Sequence, residues 1–411
     1  MIKKLTIRNF KAMRNMTIEF MPLTVLIGGN ACGKSTVLQA LDFLRSIVTR
    51  DIPEYLRERG WNFTELKSKF DDGNDKPIEF LSEYQFTIDG DIKTLCWNIS
   101  VDLYEAVNWN IEEKIETNGN VVLLRHVSDE KAIPESFKDF HFQSSMLKHY
   151  TPADGEKELI KLKQFLASSV YYGLLSPDII RLGKKTGMIG NIGTGGEWLA
   201  AFIYHADDET REKLNKIVSD FIGTELEVRA ADAGSAFMII TRELYKTKEI
   251  TIDSGHASDG LLRIIAFAAI ILQRLILRYG NSEGATQIKH DGTYTRKGYT
   301  KCDRGMILLD EVENGINPYL AEKAVGLFRS VVTETSRQVI VTTHSPVLLN
   351  GFKPEDVVFL WKDKTGNVHS KKFFDTEDMR EALDFLNPGE IWENYGTDTI
   401  LKKLDIPPED R

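Results

Sequence analysis

The sequence predicts an α/β fold built on a mostly parallel core sheet. Short apolar runs at 23–27, 306–309 and 338–342 read as buried strands. They alternate with segments of helical period, such as 37–48 and 319–333, which is the order that gives parallel strands covered by helices. The first of these strands also runs directly into a glycine-rich turn, 28–35, and then into a helix.

The elements follow in order. Residues 1–20 alternate in strand fashion, with Ile2, Leu5, Ile7 and Phe10 as one apolar series and Met16, Ile18 and Phe20 as another. Residues 49–75 are charged and read as irregular. Strands are expected at 80–88, 94–101 and 121–125, while 102–116 fits either strand or helix. The polar stretch 129–170 reads as a helical insertion. Residues 183–196 carry six glycines and read as a loop. Helices are expected over 198–222, strands at 226–229 and 236–241, and one long helix over 258–277. A polar loop, 279–304, precedes the strand at 306. The last 60 residues are expected to add a strand or two and a polar helix. The expected domains are 1–128 and 171–362 as two parts of one head, 129–170 as the insertion and 363–411 as a C-terminal extension.

Composition bounds the function. A chain of 411 residues admits two or three domains at about 100–200 residues each, or one large domain with insertions. With 42% hydrophobic and 27% charged residues it can bury its own core, which excludes a disulfide-stapled scaffold, a disordered chain and a fibre. The net charge of −9 argues against non-specific coating of nucleic acid or a basic membrane surface. Cys32, Cys96 and Cys302 are odd in number and widely spaced, which excludes a cysteine zinc site and fits a reducing cytoplasm. Arg8, Lys11 and Arg14 interrupt any signal-peptide core, and no apolar run of about 18 residues is present, so a cytoplasmic protein with no membrane partner is expected.

Four motifs carry chemistry. Gly28-Gly29-Asn30-Ala31-Cys32-Gly33-Lys34-Ser35-Thr36 satisfies G-x4-G-K-[ST], the Walker A pattern of a P-loop NTPase. Its glycines let backbone N–H groups turn inward around phosphates, Lys34 supplies charge for the β- and γ-phosphates, and Ser35 offers a hydroxyl to Mg²⁺. Residues 306–311 form an apolar strand ending in Asp310-Glu311, the Walker B form. There Asp310 is the expected Mg²⁺ ligand and Glu311 the group that polarises the attacking water. A third strand ends at Thr343-His344-Ser345-Pro346. His344 is placed to sense a γ-phosphate, and Ser345 reads as a helix N-cap. Ser258-Asp259-Gly260 opens the long helix, where a helix start makes an anion site; taken alone, a simple N-cap is the commoner reading.

Taken together, Walker A, Ser-Asp-Gly before a long helix, Leu-Leu-Asp-Glu and Thr-Thr-His-Ser-Pro, in this order, resemble the ABC-type ATPase head of the SMC, RecF and OLD-like group. The opening Ile7-Arg8-Asn9-Phe10-Lys11 resembles that group's first strand, which runs close to the nucleotide. The strongest resemblance is to compact AAA-family ATPases of bacterial defence islands, often called AAA_21. It implies ATP and Mg²⁺ as ligands, with Asn30, Ala31, Cys32, Gly33, Lys34, Ser35 and Thr36, together with Arg8 and Asn9, at the nucleotide. Ser35 and Asp310 would hold Mg²⁺, and Glu311, His344 and Lys34 would be catalytic. Ser258, Asp259 and Gly260 match the signature loop, which in this group reaches across a head-to-head dimer to the partner's γ-phosphate. The signature reads Ala-Ser-Asp-Gly-Leu rather than L-S-G-G-Q, though S-D-G is usual among the group's compact members; Val312 replaces the common proline after Asp-Glu, and Ile316-Asn317-Pro318 stands where L-H-P is usual. Gln85 is the one candidate for the Q-loop glutamine.

The resemblance has limits that are themselves informative. Residues 129–170 are too few for SMC coiled-coil arms. The 67 residues after His344 (411 − 344) are too few for the Toprim nuclease of OLD proteins. The expectation is therefore an ATP-driven switch that controls a separately encoded effector, a nuclease or toxin. An ATP-gated scaffold with negligible hydrolysis and a RecF-like DNA-repair ATPase are the alternatives. The stretch 286–304 mixes Lys289, His290, Arg296, Lys297, Lys301 and Arg304 with Tyr294 and Tyr299. It is a candidate grip on single-stranded nucleic acid, though a solvated loop is the commoner reading. Trp392 and Tyr395 near the C-terminus are expected to pack rather than dock a partner.

Overall fold

The structure is a computed structural model. It describes the chain apart from residues 71–75, 105–107, 126–142, 151–155, 174, 185–191, 235–236, 246–247, 273–274, 279–286, 289–293, 296–298, 303 and 315–316. The chain divides into two compact units. The first comprises Met1–Val170, Arg304–Leu308 and Arg337–Arg411; the second comprises Tyr171–Asp303 and Leu309–Ser336.

The chain opens with β1 (Ile2–Phe10), β2 (Met13–Glu19) and β3 (Leu23–Gly28), then α1 (Lys34–Ser46), α2 (Ile52–Arg59) and α3 (Phe63–Leu66). Next come β4 (Ile78–Ile88), β5 (Asp91–Tyr104), β6 (Asn108–Thr117), β7 (Asn120–Arg125), α4 (Lys157–Ala167) and β8 (Val170–Tyr172). The middle of the chain holds α5 (Pro177–Leu182), α6 (Leu199–His205), α7 (Asp208–Ile222), β9 (Leu226–Asp232), β10 (Phe237–Tyr245), β11 (Lys248–Asp253) and α8 (Asp259–Leu272). Four short strands follow, β12 (Leu275–Arg278), β13 (Gln287–Ile288), β14 (Tyr294–Thr295) and β15 (Tyr299–Cys302). Then come β16 (Arg304–Leu309), α9 (Ala321–Glu334), β17 (Ser336–Thr342), α10 (Pro346–Leu349), β18 (Val357–Lys362) and β19 (Val368–Lys372). The chain closes with α11 (Glu377–Glu381), α12 (Pro388–Asn394) and α13 (Thr397–Lys403).

Two sheets organise the first unit. One is antiparallel, in the order β2-β1-β4-β5-β6-β7. The other is the core sheet, in the order β19-β18-β3-β17-β16-β8, of which Tyr171, Tyr172 and Leu309, among others, are counted with the second unit. Within it β3 is parallel to β17, with Val339 opposite Leu23 and Thr342 opposite Leu26. It is also parallel to β18, with Val357 opposite Val25 and Leu360 opposite Gly28. All six residues of β3 are buried, as a strand covered on both faces requires. α1 buries Val37, Leu38, Ala40, Leu41, Phe43 and Leu44, and Phe43 meets Phe10 and Phe80 of the antiparallel sheet at 6.2 and 5.7 Å.

In the second unit, β11-β10-β9 form an antiparallel sheet. α8, the apolar helix, buries residues on nearly all sides, and its Phe267 meets Phe328 of α9 at 6.5 Å. Among the described residues no helix is long and apolar enough to cross a membrane.

Several expectations change. The region 49–75 contains α2 and α3. Pro53 in the first turn and left-handed Gly60 bound α2, while an Asn62–Glu65 capping box starts α3. These helices are too short for periodicity to reveal. The described residues of 102–116 fall in β5 and β6. The long helix stops at Leu272, because the apolar run Leu275–Leu277 pairs as a strand with β15. A short apolar run does not by itself distinguish the two states. β11 is polar and mostly exposed, so no apolar alternation marks it. Within 129–170 the described part holds α4, whose Phe165 packs on Tyr84 and Phe86 of β4 at 5.9 and 5.5 Å. Trp392 packs on Phe359 and Phe373.

One buried charge cluster fixes α1. Asp42 is fully buried, bonded by Arg45 Nε at 2.8 Å and Tyr55 Oη at 3.1 Å and paired with Arg59 of α2. Burial alone would raise its pKa. The arginines outweigh burial and hold the carboxyl below its ordinary 3.8. Asp42→Ala strands two cations and should lower unfolding stability by about 3 kcal/mol, read as a lower urea midpoint. Because the folded pKa is depressed, the stabilisation is full above about pH 5 and is lost as pH falls through the folded value. The gap between wild type and variant should therefore close in acid.

Candidate active site

The loop between β3 and α1 is shaped by two glycines with distinct reasons. Gly28 has φ 148°, and a Cβ there would stand 2.2 Å from the Leu360 carbonyl oxygen of β18. Gly33 has φ 100° and begins α1 as its N-cap. Between them Asn30 and Ala31 are exposed, and Ala31 holds φ 57°, a left-handed conformation costing a non-glycine residue about 1 kcal/mol. The first-turn N–H groups of α1 belong to Lys34, Ser35 and Thr36, so the loop ends on a helix N-terminus suited to an anion.

Lys34 is 5% exposed and folds back on the loop. Its Nζ donates to the carbonyls of Gly28 (2.9 Å) and Gly29 (3.0 Å) and lies 3.8 Å from Cys32 Sγ. Burial raises the pKa of the Cys32 thiol despite Lys34 beside it, so this cysteine is a packed neutral group rather than a nucleophile.

β17 ends beside the same edge. Thr343 N donates to Leu26 O at 3.2 Å, so the strand reaches the end of β3 where the glycine loop begins. His344 is exposed there. Ser345 caps α10 by accepting from Leu348 N at 3.2 Å. The loop and His344 thus share the carboxyl end of parallel strands, the edge where α/β sheets bind ligands.

Arg8 and Asn9 are held by their neighbours. Arg8 pairs with Glu79 at 3.1 Å and donates to Asn15 at 3.3 Å. Asn9 is buried with φ 55°, and its Nδ2 donates to the carbonyls of Lys76 (2.7 Å) and Pro77 (3.2 Å). Gln85 lies within β4, opposite Thr94.

The second unit carries the remaining candidates. Asp310 follows β16, and its N–H donates to Tyr172 O at 3.0 Å. Glu311 is exposed and left-handed at φ 47°, with Asn314 Nδ2 donating to its Oε2 at 2.7 Å. A small cleft is lined by Tyr172, Phe267, Leu309, Asp310, Glu311 and Asn314, among others. At the start of α8, Ser258 Oγ accepts from Leu261 N at 3.3 Å. Asp259 is paired with Arg181 of α5 at 2.5 Å. Sequence reasoning missed Asn314 and Arg181. Asn314 lies one turn from Glu311, whereas nothing in the sequence links Arg181 to a loop 78 positions away. The candidate nucleic-acid stretch 286–304 lies largely outside the described residues, and its short strands are described by backbone alone.

Two family models cover most of the chain. Residues 1–169 match the AAA ATPase domain AAA_15. Residues 195–350 match AAA_21, described as "AAA domain, putative AbiEii toxin, Type IV TA system". The chain carries the AAA ATPase domains of these two families. No curated protein sequence matches it. Among solved structures it is similar to an SMC head bound to the C-terminal winged-helix domain of ScpA, at TM-score 0.54 and 14% identity, covering 90% of this chain and 96% of that one. An SMC head with an extended coiled coil bound to the C-terminal domain of ScpA, from Pyrococcus furiosus, matches at TM-score 0.52 and 13% identity, covering 93% and 98%. The shared feature is the fold, that of an SMC head. Among the described residues of this chain no helix exceeds the 15 residues of α7.

In the AAA ATPase domains the P-loop conformation depends on Gly28 more than on its neighbour. Gly28→Ala places a methyl against the Leu360 carbonyl in a strained backbone and should lower stability by about 2 kcal/mol while abolishing the ATP-dependent rise in melting temperature. Gly29, with nothing within 4 Å of a built Cβ, should tolerate alanine within about 0.5 kcal/mol. Thermal melts with and without ATP measure both.

Proposed function

We propose that the protein is an Mg²⁺-dependent ATP-hydrolysing switch that dimerises head to head and controls a separately encoded effector in bacterial antiviral defence. The observation that carries this reading is the Gly28–Ser35 cradle at the carboxyl edge of β3, with buried Lys34 resting on its carbonyls. The AAA_21 match, whose description names a toxin of a toxin–antitoxin system, supports the defence role. The likeness to SMC heads supports a nucleotide-bridged dimer.

The residues divide the work as follows. Backbone N–H groups of 30–36 receive the phosphates, and Lys34 exchanges its bonds to Gly28 and Gly29 for phosphate oxygens. The Ser35 hydroxyl and the Asp310 carboxylate are the oxygens we assign to Mg²⁺, which would neutralise charge on the β- and γ-phosphates. Both are hard oxygen donors, and the pair suits an ion that keeps most of its waters. Glu311 accepts a hydrogen bond from the attacking water and aims it, while Asn314 holds the carboxylate from the side. His344 reads the γ-phosphate from the end of β17. Ser258 and Gly260 serve the nucleotide of a second copy.

Steady-state ATP turnover with sizing in ATP tests this. Glu311→Gln should lower kcat at least 100-fold and lengthen the life of an ATP-bound dimer. Lys34→Met should lose nucleotide binding and dimer together. ATP bound and dimer formed with no wild-type turnover would replace the hydrolytic switch by an ATP-gated scaffold.

A further inference from the structure

The signature loop poses an electrostatic problem. In L-S-G-G-Q the residue after serine is glycine; here it is Asp259, in the first turn of α8. A helix N-terminus attracts anions through its free N–H groups and its dipole. A carboxylate on that turn competes for the same groups and repels a phosphate brought to them. A loop meant to approach a partner's γ-phosphate therefore carries a charge of the wrong sign.

The structure supplies a counter-charge from a different element. Arg181, in the last turn of α5, places Nη2 2.5 Å from Asp259 Oδ1 and 3.0 Å from the Ala257 carbonyl. One guanidinium thus grips the residues on both sides of Ser258. Asp178, one turn earlier in α5, meets Arg181 Nη1 at 3.1 Å and orients it from behind; its side chain is 92% exposed and well solvated. The other charged groups nearby have their own partners. His256 pairs with Asp253 at 3.0 Å, and Arg263 Nε donates to Leu175 O at 3.3 Å. Both bonds leave one nitrogen, Nη2, while Nη1 is held by Asp178, so one planar guanidinium serves three acceptors in fixed directions, which a point-charge amine reproduces only in part.

We propose that Arg181 is a positioning residue for ATP hydrolysis: it draws Asp259 aside and neutralises it, so that Ser258 and the N-terminus of α8 can receive the γ-phosphate bound to a second copy of this chain. This rests on the dimeric ATPase reading above. Arg181 touches no reacting atom in it; its action runs through Asp259 and the Ala257 carbonyl.

A charge-rescue cycle tests it on the full-length protein with Mg-ATP, reading kcat, ATP-stabilised dimer by light scattering, and binding of a fluorescent ATP analogue. Arg181→Met keeps the apolar stem and removes the charge. Dimer stability and kcat should each fall about tenfold or more, as like charges meeting across an interface require. Binding of the fluorescent analogue by the isolated chain should stay within about twofold, because the P-loop is untouched. Adding Asp259→Asn to Arg181→Met should restore kcat and dimer to within about threefold of wild type, since the repelling charge is gone. Arg181→Lys should lie between, and it carries the test if Arg181→Met lowers the melting temperature too far to purify. A double variant as impaired as Arg181→Met would reduce Arg181 to a packing role and overturn the proposal, as would an Arg181→Met protein that dimerises and turns over normally. A wild type that binds ATP but neither dimerises nor hydrolyses it would overturn the dimeric ATPase reading and leave Arg181 no reaction to serve. That result is distinguishable because it appears before any substitution is made.

Discussion

The register that holds β3 between β17 and β18 is the constraint on which the first unit's chemistry depends. With Leu26 opposite Thr342 and Gly28 opposite Leu360, the strands end at one edge, so the glycine loop and His344 emerge side by side. A slip of one residue would turn the fully buried faces of β3 over and move the loop's origin. The apolar packing of the sheet therefore sets the geometry of a polar site. The same register explains why Gly28 has to be glycine: the Leu360 carbonyl occupies the space a side chain would need. Asp42 extends the constraint along α1. The helix is anchored through Arg59 and Tyr55 of α2 and cannot slide without burying an unpaired charge.

Left-handed backbone occurs at ordinary turns, as at Asp89, Asn118 and Asp405, and also at two places where chemistry is proposed. Ala31 and Glu311 are both non-glycine residues with positive φ, and each stands in a candidate motif. Such conformations persist where the surroundings over-determine them. For Ala31 the surroundings are the strand and helix that bracket the loop. For Glu311 they include the backbone bond from Asn314 N to its carbonyl and the side-chain bond from Asn314 Nδ2 to its carboxylate. Asn9 has the same backbone sign, but its amide is bonded to the Lys76 and Pro77 carbonyls and Ser68 N donates to its Oδ1, so its conformation serves the joint between β1 and β4.

What the sequence made legible follows from the range of each signal. Walker A is a local string whose glycines and lysine answer to the loop's own backbone, and it could be read without knowing what surrounds it. The strands at 23, 306 and 338 were legible because burial on both faces leaves continuous apolar runs. Strand β11 was not, because an exposed edge imposes no such run. The end of α8 is hidden because Leu275–Leu277 is apolar in either state, and its partner β15 lies more than 20 residues on. Helices α2 and α3 announce themselves only through their ends, Pro53 and Gly60 for one and the Asn62–Glu65 capping box for the other.

The signature loop shows the limit of motif reading most sharply. As a string, Ser-Asp-Gly differs from Ser-Gly-Gly at one position, and nothing in the string says how the charge of its aspartate is met. In space the aspartate is half of an ion pair, and its other half also fixes the backbone one residue before Ser258. A glycine at 259 would leave the loop freer and the helix start without its acidic residue. The Asp259–Arg181 pair instead trades that freedom for a fixed loop whose charge is balanced from another helix. The departure and its compensation lie 78 positions apart, so the functional unit is the pair. No reading of either segment alone contains it.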